Sequence, residues 1–193
     1  MSKLIVTEFV TLDGVMEAPG GEPTHPHSGW VFDYMGPEQE EFKFQEILEA
    51  DAHLIGRVTY ESFAGAWPKR SGEFADRMNS MPKYVATTTL DELEWNNSTP
   101  IRGDVPTEVA KLKQQDGGSI LVAGSRTLVH TLVENDLVDE LRLMVFPVVL
   151  GSGKRLFPES PDKVPLELTD TKTFATGVQV NTYQPAGRAA QAA

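Results

Sequence analysis

No cysteine occurs among the 193 residues. This excludes a disulfide framework, thiolate zinc sites and a cysteine nucleophile, and it leaves the redox compartment open. Basic residues are scarce: 17 Lys and Arg stand against 28 Asp and Glu, for a formal charge of −11. A nucleic-acid backbone needs a concentrated cationic face, and the close basic groupings, Lys69-Arg70 and Lys154-Arg155, read as solvated surface. No nucleic-acid partner is expected. Long apolar runs are missing as well. The stretch M-S-K-L-I-V-T-E-F-V is broken by Thr7 and Glu8, too short and too polar for a signal peptide or a membrane span. A cytoplasmic protein without a membrane partner is the expectation. What is present, 40% hydrophobic residues over this length, suits one domain with a substantial core.

Strand and helix patterns alternate along most of the chain. Residues 4–10 are β-branched and aromatic and stop at Asp13-Gly14, a turn signal. A Gly- and Pro-rich loop over 17–29 precedes a helix expected over 37–50, with Pro37 in its first turn and Glu38, Glu40 and Glu41 behind it. A short strand over 52–55, a brief helix over 59–64 and a strand over 83–87 follow. The segment 95–102 is ambiguous, with room for a short strand. A helix over 106–115 closes at Gly117-Gly118 and leads to a strand over 119–123 and a helix over 126–134. Pro147 lies inside the apolar run 141–150, which predicts an edge or bulged strand. Such an exposed apolar strand would need a partner, so a homodimer is expected. Strands over 166–174 and 178–183, linked by Ala175-Thr176-Gly177, read as a hairpin. The pattern predicts a three-layer α/β sandwich, a mostly parallel sheet with an antiparallel C-terminal hairpin. One domain is expected over 1–184 and a disordered tail over 185–193.

In such a sheet ligands sit beyond the carboxyl ends of the strands. The residues there are Thr11, Leu12, Asp13 and Gly14; Gly56, Arg57, Val58 and Thr59; Thr87 and Thr88; and Gly124, Ser125, Arg126, Thr127 and Leu128. Gly124 permits close backbone approach, Ser125 can cap the helix, and the free first-turn amides favour an anion. The plain alternative is a turn that needs glycine only for its positive φ. Gly56-Arg57-Val58-Thr59 repeats the arrangement, and its arginine and hydroxyl suit a second phosphate such as the one that distinguishes NADP from NAD. Two anion pockets on one sheet edge suggest a dinucleotide. G-x-G-x-x-G is absent after the first strand, so a different nucleotide fold is required.

T-L-D-G, I-G-R-V-T-Y-E-S-F, K-Y-V-A-T-T-T-L and V-A-G-S-R-T-L…L-V-D-E-L-R-L-M-V-F-P-V-V-L-G-S-G-K-R-L-F, in this order, resemble the dihydrofolate-reductase-like family. Its type here is the C-terminal reductase domain of the bifunctional riboflavin-biosynthesis protein, and the resemblance runs from residue 3 to about 183. It implies NADPH across the sheet edge, with Gly56, Arg57, Val58, Thr59, Thr87 and Thr88 near the adenosine phosphates and residues 124–128 on the pyrophosphate. It also implies a small heterocyclic substrate. The chain lacks the H-x-E and P-C-x-x-C of the deaminase half, and D-A-H-L-I-G-R-V-T-Y-E-S-F-A-G-A-W-P looks closer to dihydrofolate reductases and stand-alone bacterial relatives.

Hydride chemistry belongs to the cofactor, so the protein's tasks are to align the ring and to supply a proton where the substrate needs one. Asp13, beside Gly14 at the end of the first strand, is the candidate catalytic group, with a plain Asp-Gly turn as the alternative. Glu38 and Glu41 read as solvated charge. His25 and His27 form H-x-H without a third ligand in a Pro/Gly loop, so no metal is assigned. Trp30, Phe32 and Tyr34 suit either a substrate pocket or core.

Overall fold

A computed structural model of the chain describes residues 1–157 and 163–186. Its strands are β1 (Lys3–Thr11), β2 (Ala50–Gly56), β3 (Lys83–Ala86), β4 (Ser98–Ile101), β5 (Ser119–Ala123), β6 (Glu140–Phe146), β7 (Leu166–Thr173) and β8 (Gln179–Pro185). The helices are α1 (Pro37–Glu49), α2 (Arg57–Ala66), α3 (Glu73–Ser80), α4 (Val105–Lys113) and α5 (Arg126–Glu134). The eight strands form one sheet in the order β4-β3-β2-β5-β1-β6-β8-β7. The pairs from β4 to β6 are parallel, and β8 and β7 join antiparallel.

Side chains alternate across β1. Leu4, Val6 and Val10 enter a cluster with Val109 of α4 and Leu128, Val129 and Leu132 of α5. Ile5 enters the opposite cluster with Ile47 of α1, Tyr60 of α2 and Met78 of α3. Period-two patterning thus sends successive residues into two helical layers, the expected three-layer sandwich. A third cluster joins Trp30 and Val31 to Phe146, Phe174 and Val180 and seats the C-terminal hairpin.

The prediction for the run 141–150 is corrected. β6 stops at Phe146, one residue before Pro147, and lies between β1 and β8. The proline therefore removes no ladder donor, and the strand is not at an edge. Both sides of β6 are paired within the chain, so the reason given for a homodimer disappears. β7 takes the edge position instead, exposed along nearly its whole length. The helix expected from Thr59 starts at Arg57, directly against β2. β8 reaches Pro185, and the Ala186 amide donates to the Pro165 carbonyl, so both lie in ordered structure. The rest of the expected tail, 187–193, lies outside the described residues.

Candidate functional site

β5 is short, and the sheet opens beyond it. β1 pairs with β5 only up to Thr7↔Ala123, and β2 only up to His53↔Leu121. Residues 8–11 of β1 and 54–56 of β2 thus run on without a β5 partner. The gap between them is where β5 turns into α5.

That turn is unusual. Gly124 has φ +66° and Ser125 φ +68°, two successive left-handed residues. A Cβ on Gly124 would lie 3.1 Å from Oγ1 and 3.2 Å from Cγ2 of Thr59, so glycine is required for space as well as conformation. Ser125 does not cap its own helix, contrary to expectation. Its left-handed backbone turns the hydroxyl toward β2, where Oγ accepts the Gly56 amide at 2.8 Å. The β2–α2 and β5–α5 junctions are therefore locked together by a hydrogen bond and by the Gly124–Thr59 contact. Residues 124–126 are half-buried and Thr127 is exposed, so the turn reaches solvent.

The other expected residues divide clearly. Arg57 and Val58 are exposed, and Arg57 pairs with Glu61 at 2.9 Å on the surface of α2. Thr87 is buried, and its Oγ1 accepts the amides of Thr89 at 3.3 Å and Leu90 at 3.1 Å, while Thr88 is exposed. Arg126 turns away from its own turn, and its Nε donates to the Arg155 carbonyl at 2.6 Å, holding the loop after β6. Leu128 packs into the core with 6% of its surface exposed, so its amide, not its side chain, is what it can offer a ligand.

Thr11 and Asp13 form a turn of their own. The Gly14 amide closes it on the Thr11 carbonyl at 2.9 Å, with Gly14 at φ +79°. Thr11 Oγ1 donates to Asp13 Oδ1 at 2.6 Å and accepts the Val15 amide at 2.9 Å. Asp13 also accepts the amides of Leu150 at 3.3 Å and Gly151 at 2.9 Å. The Thr11 hydroxyl, with the two amides, holds the carboxyl below its ordinary range despite some desolvation. Asp13 is thus an ionised acceptor that pins the 150–151 loop, an environment opposite to that of a proton donor. Leu12 projects from this turn, 68% exposed.

Of the aromatic candidates, Trp30 is core: its Nε1 donates to the Glu17 carbonyl at 2.8 Å and its ring packs edge-on to Phe146. Phe32 is exposed and Tyr34 half-buried against Phe146. His25, expected on the surface, is buried with Nε2 3.1 Å from the Ser152 carbonyl, and its Nδ1 accepts the His27 amide at 3.1 Å. Glu38 accepts the Ala175 amide at 3.2 Å, tying α1 to the hairpin.

Two acidic residues escaped notice in the sequence. Glu46 of α1 is buried and gathers Thr7 Oγ1 at 3.0 Å, Lys43 Nζ at 2.5 Å and Arg142 Nη1 at 3.3 Å. Glu8 of β1 is 4% exposed, and its Oε2 accepts the Gly124 amide at 3.1 Å. For Glu8 the available signal is a charged residue inside an otherwise apolar and β-branched strand.

The sheet order, the opened gap and the interlocked junctions define an α/β protein of dihydrofolate-reductase-like architecture. The family model described as the RibD C-terminal domain matches residues 2–180, and the chain belongs to that family. Among curated relatives, YyaP of Bacillus subtilis is 32% identical over 182 residues, covering 91% of each chain. YwjB of the same organism is 30% identical over 180 residues, covering 93% of this chain and 96% of that one. Both are named as uncharacterized proteins. A solved Shewanella sp. PV-4 protein assigned to riboflavin biosynthesis has a TM-score of 0.74 at 19% identity, over 95% of this chain and 98% of its own. Dihydrofolate reductase from Enterococcus faecalis, complexed with NADP(H) and RAB-propyl, has a TM-score of 0.60 at 18% identity, over 95% and 96%. At these identities the two structures establish the fold.

Proposed function

We propose that this protein is an NADPH-dependent reductase of a small heterocyclic substrate, pterin- or pyrimidine-like. The observation that carries this is the interlock of the two junctions: the Gly56 amide on Ser125 Oγ at 2.8 Å, and Gly124 closed against Thr59. It puts the start of α5 and the start of α2 side by side at one opening in the sheet, a spacing suited to the linked phosphates of one dinucleotide.

The residues present fit such a group. The first-turn amides of α5 stand at a half-buried turn that reaches solvent at Thr127, beside the β2–α2 junction that Gly124 closes against Thr59. When bound, the cofactor supplies the hydride. The amides of Arg126, Thr127 and Leu128 would hold the pyrophosphate. Arg57 and Thr59 would hold the 2′-phosphate, and Arg57 can leave its exposed partner Glu61 for about 0.5 kcal/mol or less. Thr88, exposed beyond β3, borders the same edge. Asp13 would keep the turn of residues 11–14 and the 150–151 loop in place beside the opening.

The test is binding and turnover on the intact protein. NADPH should stabilise it against heat, and absorbance at 340 nm should fall with dihydrofolate or one member of a panel of pterins and pyrimidines. No stabilisation by NADPH or NADH at millimolar concentration would end the proposal. A second reading, an NADP(H)-binding protein without turnover, is favoured by the environment of Asp13, which leaves that residue no proton to give. Saturable loss of absorbance with any substrate of the panel would remove it.

A further inference from the structure

Glu8 has no role in the nucleotide site as described so far, yet its position demands one. It shares a face of β1 with the core residues Leu4, Val6 and Val10, where an apolar side chain would need no polar partner. Its Oε1 is fully buried and has no hydrogen-bond partner among the described residues, while Oε2 accepts the amide of Gly124. An unsatisfied buried carboxyl oxygen is costly, and such groups call for a functional explanation. The place it occupies is the double left-handed turn whose next residues begin α5.

We propose that Glu8 is a positioning residue of the nucleotide site: as a neutral acid it accepts the Gly124 amide and fixes the turn, and its ionisation expels a phosphate from the start of α5. The proposal rests on the nucleotide reading above and gives it a proton linkage.

The surroundings favour the neutral form. Burial pushes the carboxyl well above its usual value, with Lys43 of α1 and the Gly124 amide opposing. β5 carries no ionisable side chain. On α5, Arg126 is bonded to the Arg155 carbonyl and His130 lies 2.6 Å from the Leu156 carbonyl, with Glu134 at the far end. On β6, Arg142 is held by Glu140 and Glu46. On β2, His53 is buried, its ring nitrogens, like Oε1 of Glu8, have no hydrogen-bond partner among the described residues, and Asp51 accepts the Gly118 amide at the opposite edge. A phosphate at α5 favours the neutral acid further, so nucleotide binding takes up protons. Affinity then falls as pH rises through the titration of Glu8, by at most about tenfold per pH unit for one proton.

The experiment measures NADPH affinity of the full chain from pH 6 to pH 9 for the wild type, Glu8→Gln and Glu8→Ala. Glutamine keeps an acceptor for the Gly124 amide and cannot ionise. Affinity of the wild type relative to Glu8→Gln should fall by up to about tenfold per pH unit as pH rises through the titration of Glu8, and this ratio removes titration of the nucleotide itself. Glu8→Ala should bind more weakly than Glu8→Gln at every pH. Where Glu8→Ala fails to fold, the carboxyl carbon resonance of Glu8 in the wild type decides: its midpoint must rise on saturation with NADPH. A ratio independent of pH, a Glu8→Gln that binds no better than Glu8→Ala, or an unmoved midpoint overturns the proposal while leaving the nucleotide site standing. A wild type that binds no nucleotide at any pH overturns both.

Discussion

Replacing Gly124 with alanine perturbs the junction at its tightest point. The residue sits at φ +66°, where an L side chain costs about 1–2 kcal/mol. The added methyl would also lie 3.1–3.2 Å from the Thr59 side chain, a contact that Thr59 cannot easily relieve because its χ1 is restricted at the start of α2. That steric part is worth about 1 kcal/mol, for a total of roughly 2–3 kcal/mol. For a chain of this size each kcal/mol moves Tm by about 2–4 °C, so Gly124→Ala should melt roughly 4–12 °C below the wild type. Urea unfolding of Gly124→Ala, Thr59→Ala and the double variant separates the two contributions. The double variant should recover about 1 kcal/mol as a coupling energy, because only the steric part depends on Thr59. Unaltered stability of Gly124→Ala would refute the left-handed turn, and strict additivity would refute its contact with α2.

Ser125→Ala should cost about 1–2 kcal/mol by stranding the Gly56 amide, and Ser125→Gly should recover roughly 1 kcal/mol of that through its positive φ; equal losses in urea unfolding would contradict this. Arg57→Ala removes only an exposed ion pair and should change stability by about 0.5 kcal/mol or less, while weakening NADPH more than NADH in parallel titrations. Equal losses for the two nucleotides would remove the 2′-phosphate assignment. His53 is buried, both ring nitrogens have no hydrogen-bond partner among the described residues, and burial, then the charges of Lys83, Lys43 and Arg77, lower its pKa from 6.5 to about 3. Its unfolded form binds a proton more readily, so this contribution to stability is complete above pH 6.5 and is lost as pH falls toward 3, by up to about 1.4 kcal/mol per pH unit. His53→Leu should flatten that acid limb, and an unchanged limb would show that other groups govern it.

The fold was legible where one physical signal dominated. Alternation in β1, Pro37 at the start of α1 and Gly117-Gly118 after α4 each mark an element with little competition from tertiary structure. α3 was not legible, because E-F-A-D-R-M-N-S is mostly polar and only Ala75 and Met78 are buried. Pro147 misled for the opposite reason: the local rule holds, but the strand ends one residue earlier, and nothing local reveals that boundary. At the junctions, residue type identified the positions without fixing their roles. Ser125 has the chemistry of a helix cap, yet its left-handed backbone, set by packing against β2, turns it into a clamp on Gly56. Arg126 has the chemistry of a phosphate ligand, yet a carbonyl of the loop after β6 claims it. Asp13 marks its turn correctly, but three donors that hold it ionised come from residues 2 and about 137 positions away. Glu8 was the least visible, since its meaning depends on an amide 116 positions later in the chain.

Amide chemical-shift mapping with NADPH on the intact protein tests the proposed nucleotide site most directly. Saturable shifts should concentrate at residues 56–59, at Thr88 and at residues 125–128, on the two interlocked junctions and the adjoining strand end. Saturable shifts confined to any other part of the molecule, or none up to millimolar NADPH, would contradict it.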